Sequence, residues 1–192
     1  MSSSGRCIVY HIDRDNQISF INDEWSLFAA ENKARDLEAG SMIGQSIIRS
    51  IADETSRQLY WMLITRIRRD PKSLRFLFRC DAPDKRRFMR MEMFPLPDQG
   101  VGFKSFCVRE ESRAPVTLLD ADADRSEEFV KICSWCKKVE VGNSEWVEVE
   151  DAILRLALFK TRTLPQLTHG MCPGCHGHYW RQLVTAGEIP RP

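Results

Sequence analysis

Apolar positions near the start of the chain alternate with polar ones, as in strands. Cys7-Ile-Val-Tyr-His-Ile and Gln17-Ile-Ser-Phe-Ile are two such runs, and Asp13-Arg-Asp-Asn16 between them is turn chemistry, so residues 7–22 predict a hairpin. Asn22 and Asp23 then stand where a helix cap is expected, ahead of an apolar face of Trp25, Phe28, Ala29 and Leu37. Gly40-Ser-Met-Ile-Gly44 interrupts the pattern. A second helix is predicted from about Glu54 to Arg69, where Leu59, Trp61, Met62, Leu63, Ile64 and Ile67 recur at near-helical spacing, and Asp70-Pro71 stops it. Three alternating segments follow. Phe76, Phe78 and Cys80 oppose Arg75, Leu77 and Arg79; Met89, Met91 and Met93 oppose Arg90 and Glu92; Val101, Phe103, Ser105 and Cys107 make the third set after a turn at Pro97-Asp-Gln-Gly100.

Two strands, helices and three strands specify an α+β domain: a five-stranded antiparallel sheet with one face covered by the middle helices. Ile12-Asp13 leading to Ile18-Ser-Phe-Ile-Asn22, the helix carrying Trp25 and the Met-Ile-Gly44 turn before the long helix resemble a PAS domain, the widespread sensory fold. That resemblance covers roughly residues 6–110, and the domain is assigned to 1–112. It implies a cavity between sheet and helices in which a small molecule could sit, lined by Phe20, Trp25, Phe28, Phe76, Phe78, Met89, Met91, Met93 and Phe103. The competing reading makes the same residues core, with methionine filling irregular gaps. Haem is not expected there, because His11 is the sole histidine before residue 113 and lies on a strand. Cys80 and Cys107 read as small core residues. Phe106 and Val108 fall opposite Phe103 and would need cover, which suggests a homodimer.

Residues 113–130 carry Asp120, Asp122 and Asp124 with little apolar periodicity and read as an acidic linker. The remainder, 131–192, holds the strongest chemical signal. Of seven cysteines, four fall into two C-x-x-C pairs, Cys133-Ser-Trp-Cys136-Lys-Lys and Thr168-His-Gly-Met-Cys172-Pro-Gly-Cys175. Each pair places two thiols in a tight turn, and two such turns facing each other complete a tetrahedron about a zinc ion at about 2.3 Å per bond. Between them, a Gly142-Asn143 turn with flanking alternation predicts a strand pair, and Glu148 to Lys160 a helix with Val149, Ile153, Leu156 and Ala157 or Phe159 inward. So small a module buries too little apolar surface for comfortable stability, and structural zinc can supply on the order of 10 kcal/mol or more. Lys137, Lys138 and His169 stand close enough in sequence to moderate the negative charge of four thiolates.

The two cysteine phrases, with Trp146, Glu148 and Glu150 between them, also resemble a cysteine-rich tail that follows the sensory domain in bacterial PAS signalling proteins. The implication is signal transduction. Cys172-Pro-Gly-Cys175-His176 has the form of a haem-attachment signature, but that reading leaves the first cysteine pair unexplained and requires export. A dithiol redox pair lacks a surrounding thioredoxin-like pattern. A zinc site that also releases metal on oxidation is compatible with the structural one.

Charge is balanced, with 28 Lys and Arg against 27 Asp and Glu, so nothing global points to nucleic acid or an anionic membrane. A basic run, including Arg66, Arg75, Arg79, Arg86, Arg87 and Arg90, could meet phosphates, yet its aromatic neighbours read as inward-facing rather than as a stacking platform. The chain shows no signal-peptide pattern at its start and no apolar run long enough to span a bilayer, so a soluble cytoplasmic protein is expected. No phosphate loop, serine elbow, kinase core or defensible carboxylate pair appears, and a zinc with four sulfur ligands has no open position for water. The expectation is a non-enzymatic sensory or adaptor protein working through a protein partner; the alternatives are a transcription-associated nucleic-acid-binding zinc protein and a thiol redox sensor.

Overall fold

The protein is described from a computed structural model covering residues 6–32, 37, 39–160 and 162–185. It divides into two compact units, the first drawn from the described residues up to 78 and from 88 to 110, the second from residues 79–87 and 111–185.

The first unit is α+β. Strands β1 (Cys7–Ile12), β2 (Ile18–Ile21), β3 (Leu74–Arg79), β4 (Lys85–Pro95) and β5 (Val101–Ser112) form an antiparallel sheet in the order β2-β1-β5-β4-β3. Helices α1 (Asp23–Glu31), α2 (Ala39–Met42) and α3 (Glu54–Arg69) occupy the chain between β2 and β3; the pattern predicted α1 and α3, but α1 ends before Leu37, and α2 is a short turn of helix at the segment expected as a break. The β1–β2 turn is held by Asp13, whose Oδ1 accepts from the amides of Asp15 and Gln17, and Asn16 takes a positive φ of 63° there. Asp53 caps α3 by accepting from Ser56 N at 2.8 Å. Asn22 does not cap α1. Its side chain instead accepts from Val9 N and donates to Cys7 O, pinning the edge of β1.

Strand alternation decides which side chains meet the helices. Tyr10 and Ile12 from β1, Ile18 from β2, Phe76 from β3, Met89, Met91 and Met93 from β4, and Val101 and Phe103 from β5 are buried, and Leu59, Leu63, Ile64 and Ile67 of α3 are buried with them. Tyr10 stacks on Phe103 at 4.5 Å, meets Trp25 of α1 edge-on at 5.3 Å, and Tyr60 of α3 meets Phe76 edge-on at 6.5 Å, which places the helices on this face.

Among the residues expected to line a cavity, Phe76, Met89, Met91, Met93 and Phe103 are in this interior, while Trp25, Phe28 and Phe78 are half-buried. Phe20 is on the other face. It pairs with His11 across β1 and β2 and is 43% exposed, because a bulge after His11 keeps Ile18 inward and turns Phe20 out. The outer face also holds Phe94, Phe106 and Phe88, with Lys104 over Phe94, Arg90 over Phe106 and Arg109 over Phe88. Phe106 thus falls opposite Phe103 as the alternation predicted, and the expectation that the aromatic residues beside the basic strip turn inward is corrected for Phe88 and Phe94. Gly102 belongs to the same device: the Phe94 ring lies so close above it that a Cβ would meet Cζ at 2.2 Å.

The second unit contains the four-stranded sheet β8-β7-β6-β9, made of β6 (Arg125–Cys133), β7 (Val139–Glu140), β8 (Trp146–Val147) and β9 (Leu164–Gly170), with helices α4 (Val149–Arg155) and α5 (Pro173–Thr185). Residues 113–130, expected as a linker, are folded into it: Val116 and Leu118 are buried with Ile132, Val139, Val149, Ala152 and Leu158, and β6 begins at Arg125. Three backbone-to-guanidinium contacts fix this stretch, since Arg125 donates to Leu118 O, Asp120 O and Pro165 O. The β7–β8 hairpin forms at Gly142-Asn143, with positive φ at Gly142, Asn143 and Ser144. The helix expected to reach Lys160 ends early, where Ala157 takes a positive φ of 52°; the Phe159 side chain lies outside what is described.

Candidate metal centre

Parallel pairing of β6 with β9 brings the two cysteine pairs together, because its last register pair sets Cys133 opposite Gly170. Cys133 ends β6, and the chain turns back at once: Cys133 N donates to Lys138 O at 2.7 Å, Lys137 N to Cys133 O at 3.0 Å, and Lys137 adopts φ 62°. Ser134 N reaches across to Gly170 O at 2.8 Å, tying this knuckle to the end of β9. On the other side Pro173 opens α5, a favoured residue for a first helical position, and His176 N closes the first turn on Cys172 O. Trp135, between the first two cysteines, is buried and packs on Tyr179 of α5 at 4.2 Å between ring centres.

The four sulfurs of Cys133, Cys136, Cys172 and Cys175 all lie within 4.8 Å of one another, and Cys136 Sγ is 3.6 Å from Cys172 Sγ. Sulfurs at the corners of a tetrahedron with 2.3 Å metal bonds stand about 3.8 Å apart, so the cage fits one cation. Cys133 and Cys172 are buried, and Cys136 and Cys175 are partly exposed.

Backbone amides support these sulfurs. Cys172 N points at Cys133 Sγ and Cys175 N at Cys172 Sγ, each at 3.4 Å, and the Lys138 and Cys136 amides serve Cys136 and Cys133. Without a cation, the crowded thiols must share protons. Hydrogen bonds from Cys136 and Cys175 hold the Cys133 thiol far below its ordinary range, while Cys136, donating to Cys133, is pushed up to about 12 and Cys175, donating to Cys133 and Cys136, higher still. A divalent cation at the centre takes over the role of those protons and lets all four sulfurs ionise.

The side chains expected around the sulfurs are disposed differently. Lys137 Nζ donates to Ser134 O at 2.9 Å, bracing the turn from outside. Lys138 contributes through its backbone, and His169 is exposed on β9 opposite Ile132.

A buried ion network adjoins the first knuckle within the same unit. Arg79 N donates to Trp135 O at 2.7 Å. The Arg79 guanidinium grips both oxygens of Asp81 and reaches Glu148 at 2.6 Å, Arg113 reaches Asp81 at 3.3 Å and Glu150 at 3.1 Å, and Arg86 meets Glu150 at 2.8 Å. Burial opposes the Arg79 charge, but the hydrogen bonds to Asp81 and Glu148 outweigh it and raise its pKa. Arg79 and Arg86, read from sequence as part of a phosphate-binding strip, are therefore spent on internal carboxylates, and Arg75 is paired with Glu92 at 2.9 Å.

No family model matches the chain, and no curated protein does. Among solved structures, the chain is similar to the PAS domain of the quorum-sensing receptor RpfR of Cronobacter turicensis in complex with C12:0, at 13% identity and a TM-score of 0.42, over 57% of this chain and all of that one. It is also similar to the PAS domain of BvgS from Bordetella pertussis, at 14% identity and a TM-score of 0.41, over 53% of this chain and 76% of the other. No helix among the described residues is long and apolar enough to cross a membrane.

Proposed function

We propose that the protein is a non-enzymatic adaptor of bacterial signal transduction: a PAS-like unit that responds to a small ligand or a protein partner, joined to a unit folded around one zinc ion. The observation that carries the reading is the closed cage of four sulfurs. Four thiolates fill a tetrahedral zinc and leave no position for a water nucleophile, so the metal stabilises a surface rather than a reaction. The PAS-like part rests on the sheet-and-helix architecture and on the motifs around Trp25 and Gly44. The chain passes its signal on by binding a protein partner, in the cytoplasm. Native mass spectrometry of the purified chain tests this: one zinc per chain, with any retained small molecule as additional mass, is expected, and a chain holding no metal ends the proposal.

A second reading is favoured by the unequal exposure of the four cysteines. Cys136 and Cys175 are the sulfurs a solvent oxidant reaches first. Two thiolates, one hydrogen peroxide and two protons then give a disulfide and two waters, and the zinc leaves. Zinc release to a chromogenic chelator under dilute peroxide, reversed by dithiothreitol, is the expected result; a centre that keeps its zinc under the same treatment removes the redox role.

A further inference from the structure

The outer face of the five-stranded sheet carries a pattern that the adaptor reading does not use. Phe20 sits beside His11, with ring centres 4.8 Å apart, and His11 meets Phe94 edge-on at 6.1 Å. Lys104 Nζ lies 4.8 Å from the centre of the Phe94 ring, Arg90 Cζ 5.4 Å from Phe106, and Arg109 Cζ 4.0 Å from Phe88. Rings and cations thus alternate across the strands. The Phe94 ring lies over Gly102, whose missing side chain makes room for it, and Phe88 and Phe106 are half-buried beneath their cations. Arg90 and Arg109 are exposed.

We infer that this face binds single-stranded nucleic acid, unpaired bases stacking on Phe20, Phe94, Phe106 and Phe88 while Lys104, Arg90 and Arg109 engage the phosphates between them. Stacking on an open sheet is tolerant of sequence, because every base has a flat face, and long basic side chains now resting on the rings can swing outward to the backbone. Among the described residues of this unit the ring contacts of α1 and α3 lie on the opposite face, so an open sheet rather than a groove-entering helix meets the ligand, and that ligand is single-stranded.

Charge separates this occupant from a second copy of the chain. A self-paired interface would bring Lys104, Arg90 and Arg109 up against the same cations, while Glu92, the acid beside them on β4, is already held by Arg75. A polyanion meets no such conflict. Burial separates it from a membrane, where apolar side chains would have to project several ångströms into the acyl boundary; here three of the four rings are half-buried.

Fluorescence anisotropy of the full chain with a labelled oligouridine and a labelled oligothymidine, repeated across sodium chloride concentrations, tests the inference. Binding is expected with a log–log salt slope of about −2, since three cations each release about 0.7 of a counterion from a single strand. Phe106→Leu and Phe20→Leu each weaken binding by about five-fold or more, the loss expected of one stacked base, and Lys104→Gln flattens the slope by about 0.7. Lys131→Gln in the second unit leaves affinity unchanged. Circular dichroism confirms that the exposed-site variants fold. Any of four results overturns the inference: no binding up to about 100 µM protein, the upper range of non-specific affinities; binding that ignores the phenylalanine substitutions; binding to phosphatidylserine-containing phosphatidylcholine vesicles but to neither oligomer; or self-association abolished by these substitutions in a protein that binds neither oligomer.

Discussion

Arg79→Ala tests whether the ion network beside the first knuckle holds the second unit together. The Arg79 side chain is 9% exposed and Asp81 1%, so the substitution strips a buried carboxylate of the cation that grips both its oxygens, and Glu148 of a 2.6 Å partner. Removing one member of a buried pair costs about 3–5 kcal/mol. The lower end applies, because Arg113 still stands 3.3 Å from Asp81 and Glu148 is one-third exposed and can turn to water. A loss of about 3 kcal/mol corresponds to a drop in Tm of at least about 10 °C for a unit of this size. Hydrogen exchange of zinc-loaded protein, followed in peptides covering 125–133 and 164–170, reads the loss where it occurs. Arg75→Ala is the control: its partner Glu92 is on the sheet surface, Arg75 is 66% exposed, and solvent screening leaves such a pair little weight in stability. An Arg79→Ala protein that melts within 2–3 °C of the parent, or an Arg75→Ala protein that loses as much, refutes the reasoning.

Three further outcomes follow from the same geometry. Cys133→Ser, at a buried ligand, should abolish stable metal retention and protection of β6, β9 and α5 in hydrogen exchange while leaving α3 protected; loss of protection in both units together contradicts the two-unit description. Gly102→Ala should destabilise the first unit by about 1–3 kcal/mol through the collision with Phe94, and Gly102→Ala with Phe94→Ala together should cost less than the sum of the separate changes; strict additivity in urea melts denies the contact. Burial pushes the Tyr60 phenol up to about 12 and raises Tyr10 well above its ordinary range, with a smaller push from Tyr60. The unfolded chain loses these protons first, near pH 10, so their contribution to stability is complete below pH 10 and is lost as pH rises through 12, where Tyr60 alone accounts for about 3 kcal/mol. Ultraviolet titration that finds both phenols ionising near pH 10 in folded protein rules this out.

What could be read from the sequence follows from how local each signal is. The long helix from Glu54 to Arg69, the alternation of Met89, Met91 and Met93 and the Gly142-Asn143 turn are written in neighbouring residues, and the structure has them. The cysteine pairs were legible for the same reason, each being a turn of four residues. Their convergence was an expectation from chemistry alone, and the structure supplies its cause in the parallel pairing of β6 and β9, a contact between segments more than thirty residues apart that leaves no local trace. Residues 113–130 misled because their acids dominate the composition, whereas Val116 and Leu118, brought inward by one short turn, decide the packing. The basic strip misled similarly. The carboxylates that claim Arg79 and Arg86 come in part from Glu148 and Glu150, far along the chain. Alternation of Arg90 and Glu92 opposite the methionines was legible, but each ring-and-cation pair joins a residue of β4 to one of β5, a contact that leaves no local trace.

Hydrogen exchange measured on the full chain as purified, and again after removal of metal by a strong chelator, addresses the central claim most directly when paired with native mass spectrometry of both samples. The account predicts one zinc per chain before treatment, none after, and a collapse of protection confined to β6, β9 and α5 while α3 and the five-stranded sheet stay protected. A chain that keeps the second unit protected with no metal bound contradicts it.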